Sequence, residues 1–192
     1  MRSVVVCLVL ASLASNPLRA SDHPTPPVAV TTISKSDLAK DVDVLQRAYE
    51  QLHPGLYRYN TPEQMQGHFD ALRKALDHDQ SMSDAFLAFS LFAAKVKCGH
   101  TYANFTNQPR AIQQALLEGD DRVPFYFRWL DGRMIVTRNF STDQALVPGT
   151  EVLSIDGVAT KDILARLMTI ARADGSNDAK RIASLQVQGE DR

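Results

Sequence analysis

At Cys98-Gly99-His100-Thr101 the chain changes its hydrophobic period, and that switch limits its fold more than any other feature. Before it, apolar residues recur at steps of three and four, the period of helices packed on helices. After it they come in short runs between turn dipeptides, the pattern of strands. The expected fold class is therefore α+β. The same four residues bring together a thiol, a glycine, an imidazole and a hydroxyl, and they are the one place where catalysis is suspected.

The helical half can be read stripe by stripe. A first helix is expected from about Ser34, with Asp37 as a capping carboxylate and Leu38, Val42, Leu45, Tyr49 and Leu52 on one face. His53-Pro54-Gly55 stops it, because the residue before proline is pushed out of the helical region. The loop that follows presents Leu56, Tyr57, Arg58 and Tyr59. Thr61, Pro62 and Gln64 form a capping box with proline at the first helical position, so a second helix starts there, with Met65, Phe69, Leu72 and Leu76 as its stripe. His68 and His78 fall off the stripe, and no partner stands at metal-site spacing, so they read as solvated. A third helix, residues 83–98, is apolar nearly all round and reads as the central buried helix. Lys95 and Lys97 suit its negative end, and Gly99 suits the left-handed position that terminates it.

Beyond His100, residues 102–106 alternate as a short strand, and a fourth helix is expected over 109–118. Two strand-like runs flank Asp131-Gly132, a hairpin signal. A second such unit follows: Pro148-Gly149, a strand over 151–155, the turn Asp156-Gly157 and a helix over 161–171. Asp174-Gly175-Ser176-Asn177 reads as a loop before a last helical stretch, residues 179–187. The strands near the end have no obvious partners beyond residue 187, and unpaired edges favour aggregation.

Length and charge exclude some functions. The chain has 192 residues, 44% hydrophobic and 22% charged, an ordinary globular balance with no need of a disulfide or metal staple. A formal net charge of -1 without a basic stripe argues against nucleic acid as a partner. Residues 1–20 read as a signal peptide: Arg2, an apolar run over 4–14, then Leu18-Arg19-Ala20. Cleavage is expected after Ala20, with Ala14 as the alternative, and an uncleaved anchor as a further one. The apolar run is shorter than the ~20 residues a membrane span needs, so no integral span is expected after cleavage. Cleavage after Ala20 removes Arg2 and Arg19 and leaves 19 basic against 22 acidic side chains, a net charge of -3. The protein is then exported, periplasmic or secreted. Cys7 is lost with the signal, so Cys98 stands alone, and burial is favoured over reactivity. Residues 21–33, with Pro24, Pro26 and Pro27, read as a linker.

Several motifs fail on inspection. Asp174, Ser176 and Asp178 begin like a calcium loop, but Ala179 and Leu185 stand where glycine and glutamate are needed. There is no Gly-rich phosphate loop and no nucleophile elbow. No metal or cofactor is implied. Residues 147–159, from Val147-Pro148-Gly149 to Ile155-Asp156-Gly157-Val158-Ala159, resemble the Pro-Gly turn and Asp-Gly strand segment of PDZ domains. Such a module binds an extended peptide at a sheet edge. A generic Asp-Gly hairpin fits the same residues, and the PDZ carboxylate-binding loop is not recognisable.

Order now matters more than any single motif. Leu52-His53-Pro54-Gly55-Leu56-Tyr57, then Gly99-His100-Thr101 closing the third helix, then the PDZ-like hairpin and Asp174-Gly175-Ser176-Asn177 follow one another over residues 37–187. This series resembles the N-terminal half of the tail-specific, or C-terminal processing, serine peptidases in their tricorn-like branch. The resemblance implies proteolysis of peptide or unfolded-protein substrates, with His100 as general base. A serine hydroxyl needs such a base, and histidine titrates near neutral pH. Thr101 or the Gly99 backbone is a candidate to orient the ring. In the family, the nucleophilic serine and the oxyanion hole lie on a later α/β domain absent from these 192 residues. The expectation is therefore the N-terminal portion of an exported serine endopeptidase, inactive as written. The expected domains are a helical N-terminal subdomain over 34–120, bounded near 119–122, and a PDZ-like β/α region over 121–192. The alternative is a stand-alone peptide-binding or adaptor module of PDZ type, and a fragment without function is a third.

Overall fold

The computed structural model describes residues 32–104, 107–117 and 122–187. The expected signal peptide and most of the expected linker lie outside these residues. Thr32–Ile33 form a strand, β1, so the end of the expected linker is structured. It pairs antiparallel with β2, Gln80–Ser81.

Three helices follow from local chemistry. Ser34 caps α1 (Lys35–Leu52) by accepting from the Asp37 amide. Thr61 and Gln64 make the expected reciprocal capping box at α2 (Pro62–Ala75). Ser81 caps α3 (Met82–Lys95). Leu38, Val42, Met65, Phe69, Leu72 and Leu76 all point into one core with Phe92 and Val96 of the α3 end. Tyr49, Phe69 and Phe92 meet there as an aromatic group, with Phe69 and Phe92 centroids 4.7 Å apart.

The stripe readings need two corrections. Leu52 is 78% exposed, because the aromatic partners of α1 reach only as far as Tyr49. Leu87 is 48% exposed, so α3 packs by one face rather than sitting centrally. The helix terminator also differs. Lys97, not Gly99, takes the left-handed conformation, at φ 57°.

The residues after His100 do not form the expected strand at 102–104, and Phe105 and Thr106 lie outside the described residues. Tyr102 is engaged elsewhere, since the Arg172 guanidinium lies 3.5 Å from its ring centroid. A helix, α4 (Arg110–Leu117), comes next, and the expected boundary at 119–122 is described only at Arg122.

The second layer is a three-stranded antiparallel sheet, β3 (Phe125–Leu130), β4 (Arg133–Asn139) and β5 (Glu151–Val152), in that order. Asp131 and Gly132, both at positive φ, close the β3–β4 hairpin as expected. The expected strand over 151–155 is broken at Leu153. Its second half, β6 (Ser154–Ile155), leaves the sheet to pair with β7 (Val158–Ala159) around Asp156-Gly157. The helices α5 (Thr160–Met168) and α6 (Asp178–Ser184) cover one sheet face. Phe125, Phe127, Trp129, Met134 and Val136 form its core against Leu164, Leu167, Ile182 and Leu185. The end of the described chain is not unpaired: Val187 bridges to Phe127, and Trp129 donates to the Leu185 carbonyl. The molecule is thus α+β, with two separate hydrophobic clusters.

Candidate functional site

Three turns from distant parts of the sequence meet where the two layers touch. The first, residues 53–59, leaves α1 at His53, whose amide still bonds the Tyr49 carbonyl. Leu56 anchors it in the helical core at 2% exposure, while Tyr57 and Tyr59 stay exposed. The second, residues 98–101, is a turn closed by the Thr101 amide on the Cys98 carbonyl, 3.1 Å. The third is the loop over 171–178. The Arg181 guanidinium braces it by donating to the Ala171 and Gly175 carbonyls and to Asp178.

These turns are fitted to one another. The Gly175 amide donates to the Lys97 carbonyl at 2.9 Å, and the Gly99 amide donates to Asp174 Oδ1 at 3.0 Å. Any Cβ on Gly99 would stand 3.0 Å from Asp174 Oδ2 and 3.1 Å from Lys180 Nζ. Gly99 is therefore needed for close approach of the third turn, while Lys97 ends the helix. At Gly175, φ is 59° and a Cβ would meet the Tyr59 ring at 3.0 Å. Between the turns lies a cleft of about 910 Å³, lined by residues 53–59, Cys98, His100, Thr101 and Asp174.

The hydrogen bonds fix one tautomer. His53 Nδ1 accepts from the Gly55 amide at 3.2 Å, so in the neutral ring the proton sits on Nε2. Nε2 then donates to Thr101 Oγ1, 2.8 Å away. A hydroxyl against an imidazole is the arrangement of a nucleophile with its base. Here the protonation is the wrong way round for that task, and the Thr101 side chain is buried at 7% exposure. The pair holds structure.

His100 is exposed, lines the cleft, and makes no hydrogen bond among the described residues. Neither expected orienting group reaches it: Thr101 is committed to His53, and the Gly99 amide to Asp174. Asp174 is the anionic side chain of the lining. The Gly99 amide, first, and then the neighbouring Lys180, His100 and Arg58 side chains hold its carboxyl below the usual carboxylate range, against some desolvation. Cys98 is half-buried: it packs on the helical core and also lines the cleft. Burial, then Cys98, raises the Tyr49 hydroxyl above its ordinary value. His68 and His78 do not line the cleft, and burial followed by Lys95 and Lys97 lowers the His68 ring. Among the described residues no cluster of three or more metal-ligating side chains occurs, and no helix is long and apolar enough to cross a membrane.

Sequence reasoning named His100, which lines the cleft, and missed His53 and Asp174, which bond its neighbours Thr101 and Gly99. His53 carried a signal, His-Pro-Gly, but it read as a helix stop. Nothing local marks its bond to Thr101, 48 residues away. Comparison with known proteins adds no relative: no family model, no curated protein and no solved structure matches this chain.

Proposed function

We propose that this chain supplies the general-base side of an exported serine endopeptidase of the tail-specific, tricorn-like type. What supports the reading is one observation. Three of the four segments that carry the resemblance, 52–57, 99–101 and 174–177, are separated by more than a hundred residues in all and each contributes to one cleft containing His100, while the PDZ-like hairpin does not line it. On this reading an extended peptide or unfolded segment lies in the cleft, and His100, with an exposed ring, takes a proton from a serine hydroxyl. Among the described residues no serine lines the cleft, so on this reading the hydroxyl comes from elsewhere and these residues alone are expected to hydrolyse no peptide bond. The β/α layer is read as the family's PDZ-like unit.

A stand-alone peptide-binding module is the second reading. It draws on the β3 edge, where the Phe127 amide already takes the Val187 carbonyl at 3.0 Å, in the manner of an added strand.

The two readings separate in a titration of the isotopically labelled chain with a casein digest. The peptidase reading expects amide shifts in residues 53–59 and 98–101. Shifts confined to β3 and β5 would support the module, and no shift in either place would contradict both. A serine-directed fluorophosphonate probe should leave the chain unlabelled. Labelling would overturn the assignment of the nucleophile to another segment.

A further inference from the structure

We propose that His53 is a positioning residue of the cleft, acting through Thr101 on the turn that carries His100, and that it does so only while its ring is neutral. The catalytic value of that turn rests on the reading above, but the positioning is a property of the chain itself.

The chain of contacts is short. The Gly55 amide donates to His53 Nδ1, and His53 Nε2 donates to Thr101 Oγ1. Thr101 is buried, and its amide closes the turn on the Cys98 carbonyl, with His100 inside that turn. The ring itself is held by Tyr49, whose centroid is 5.5 Å away. A histidine at the end of α1 thus sets the side chain that follows the proposed base, across 48 residues of sequence. Neither the helix stop nor the α3 end requires this bond. The amide of Gly55, half-buried, is directed at Nδ1.

Protonation breaks the arrangement by geometry. The imidazolium carries a proton on both nitrogens. Nδ1–H then faces the Gly55 amide, donor against donor. One hydrogen bond is lost and a repulsion replaces it. Relief needs the ring or the Gly55 amide to turn, and a turn of the ring takes Nε2 away from Thr101. The groups that face this ring set how readily it charges. Tyr49 packs on it from α1, and the titratable and charged groups that line the cleft with it are Tyr57, Arg58 and Tyr59 from its own turn, Cys98 and His100 from the second turn, and Asp174 from the third. The cleft is assembled while the His53 ring is neutral and loosened when that ring is protonated.

Amide hydrogen exchange of the full chain tests this, read at Thr101 with correction for the intrinsic pH dependence of exchange. Losing one buried hydrogen bond should lower protection about tenfold. Wild-type Thr101 should therefore show about tenfold less protection once His53 is protonated. Thr101→Val should show the low protection at every pH. His53→Gln keeps a donor at the Nε2 position and cannot titrate, so it should keep the high protection and lose the pH dependence. Nitrogen shifts of the neutral His53 ring should place its proton on Nε2. A proton on Nδ1, or a pH dependence that survives in His53→Gln, would overturn the proposal. A Thr101 amide unaffected by Thr101→Val would do the same. These readouts involve no peptide, so a failed peptide titration would contradict the functional reading while leaving this one standing or falling by itself.

Discussion

The two hydrophobic clusters are built in different ways. The helical cluster draws on residues 33–98, with each helix contributing a stripe at regular spacing. The sheet cluster starts at Val123 and is completed only by Ile182 and Leu185, with Val187 bridging to Phe127 on the β3 edge. One core closes over adjacent elements, while the other depends on its last segment. Between them, among the described residues, run polar contacts: two backbone amides, a carboxylate, and a guanidinium over a tyrosine. The difference teaches where a site is best placed. Cores resist change, whereas a polar seam can hold chemistry and move.

The comparison can be broken most forcefully in the helical core. Phe69→Ala removes a ring that is 1% exposed and should cost about 3–5 kcal/mol. Trp129, the one tryptophan, lies in the other cluster, so its fluorescence reports the sheet layer alone. The far-UV helical transition should shift further than the Trp129 transition in denaturant. Coincident shifts would mean that the layers unfold as one unit.

Next in size is the seam. Gly175→Ala forces a side chain into the left-handed region and against the Tyr59 ring, at a cost of about 1–2 kcal/mol. Its distinctive consequence is faster exchange of the Gly99 amide with little change in either core. Thr61→Ala removes the oxygen that accepts from the Gln64 amide at α2 and should cost about 1 kcal/mol, seen in the helical transition only.

The smallest effect concerns Asp174. Its carboxyl is depressed in the folded chain, so its contribution is present above the unfolded carboxylate pKa and is lost as pH falls through the lower folded value. Protection of the Gly99 amide should therefore weaken in acid, at the low edge of the carboxylate range. Asp174→Asn should remove that dependence. The group is exposed, so global stability should hardly change. An unaltered acid limb in Asp174→Asn would assign the effect to another group.

Much of the helical layer was legible in the sequence because caps and stripes are local. Thr61, Pro62 and Gln64 announce α2 within four residues, and Asp131-Gly132 announces its hairpin in two. What failed depends on contacts between distant residues. Gly99 looked like a helix terminator, yet its lack of a Cβ serves the approach of Asp174, 75 residues away. The strand over 151–155 breaks because Ser154 and Ile155 pair with Val158 and Ala159 rather than continuing along β4. His100 was legible as a candidate and lines the cleft, but the partners proposed for its ring are committed to other groups. The site's segments could be read in order along the chain, while their convergence could not.

That convergence is the central claim, and a nuclear Overhauser measurement between the Tyr59 ring and the Gly175 α-protons tests it most directly. The structure places the missing Gly175 Cβ 3.0 Å from that ring, so a strong effect and a ring-current shift of the Gly175 α-protons are expected. Absence of both, in a chain whose Phe69 and Trp129 cores are folded, would separate the third turn from the other two and dissolve the cleft.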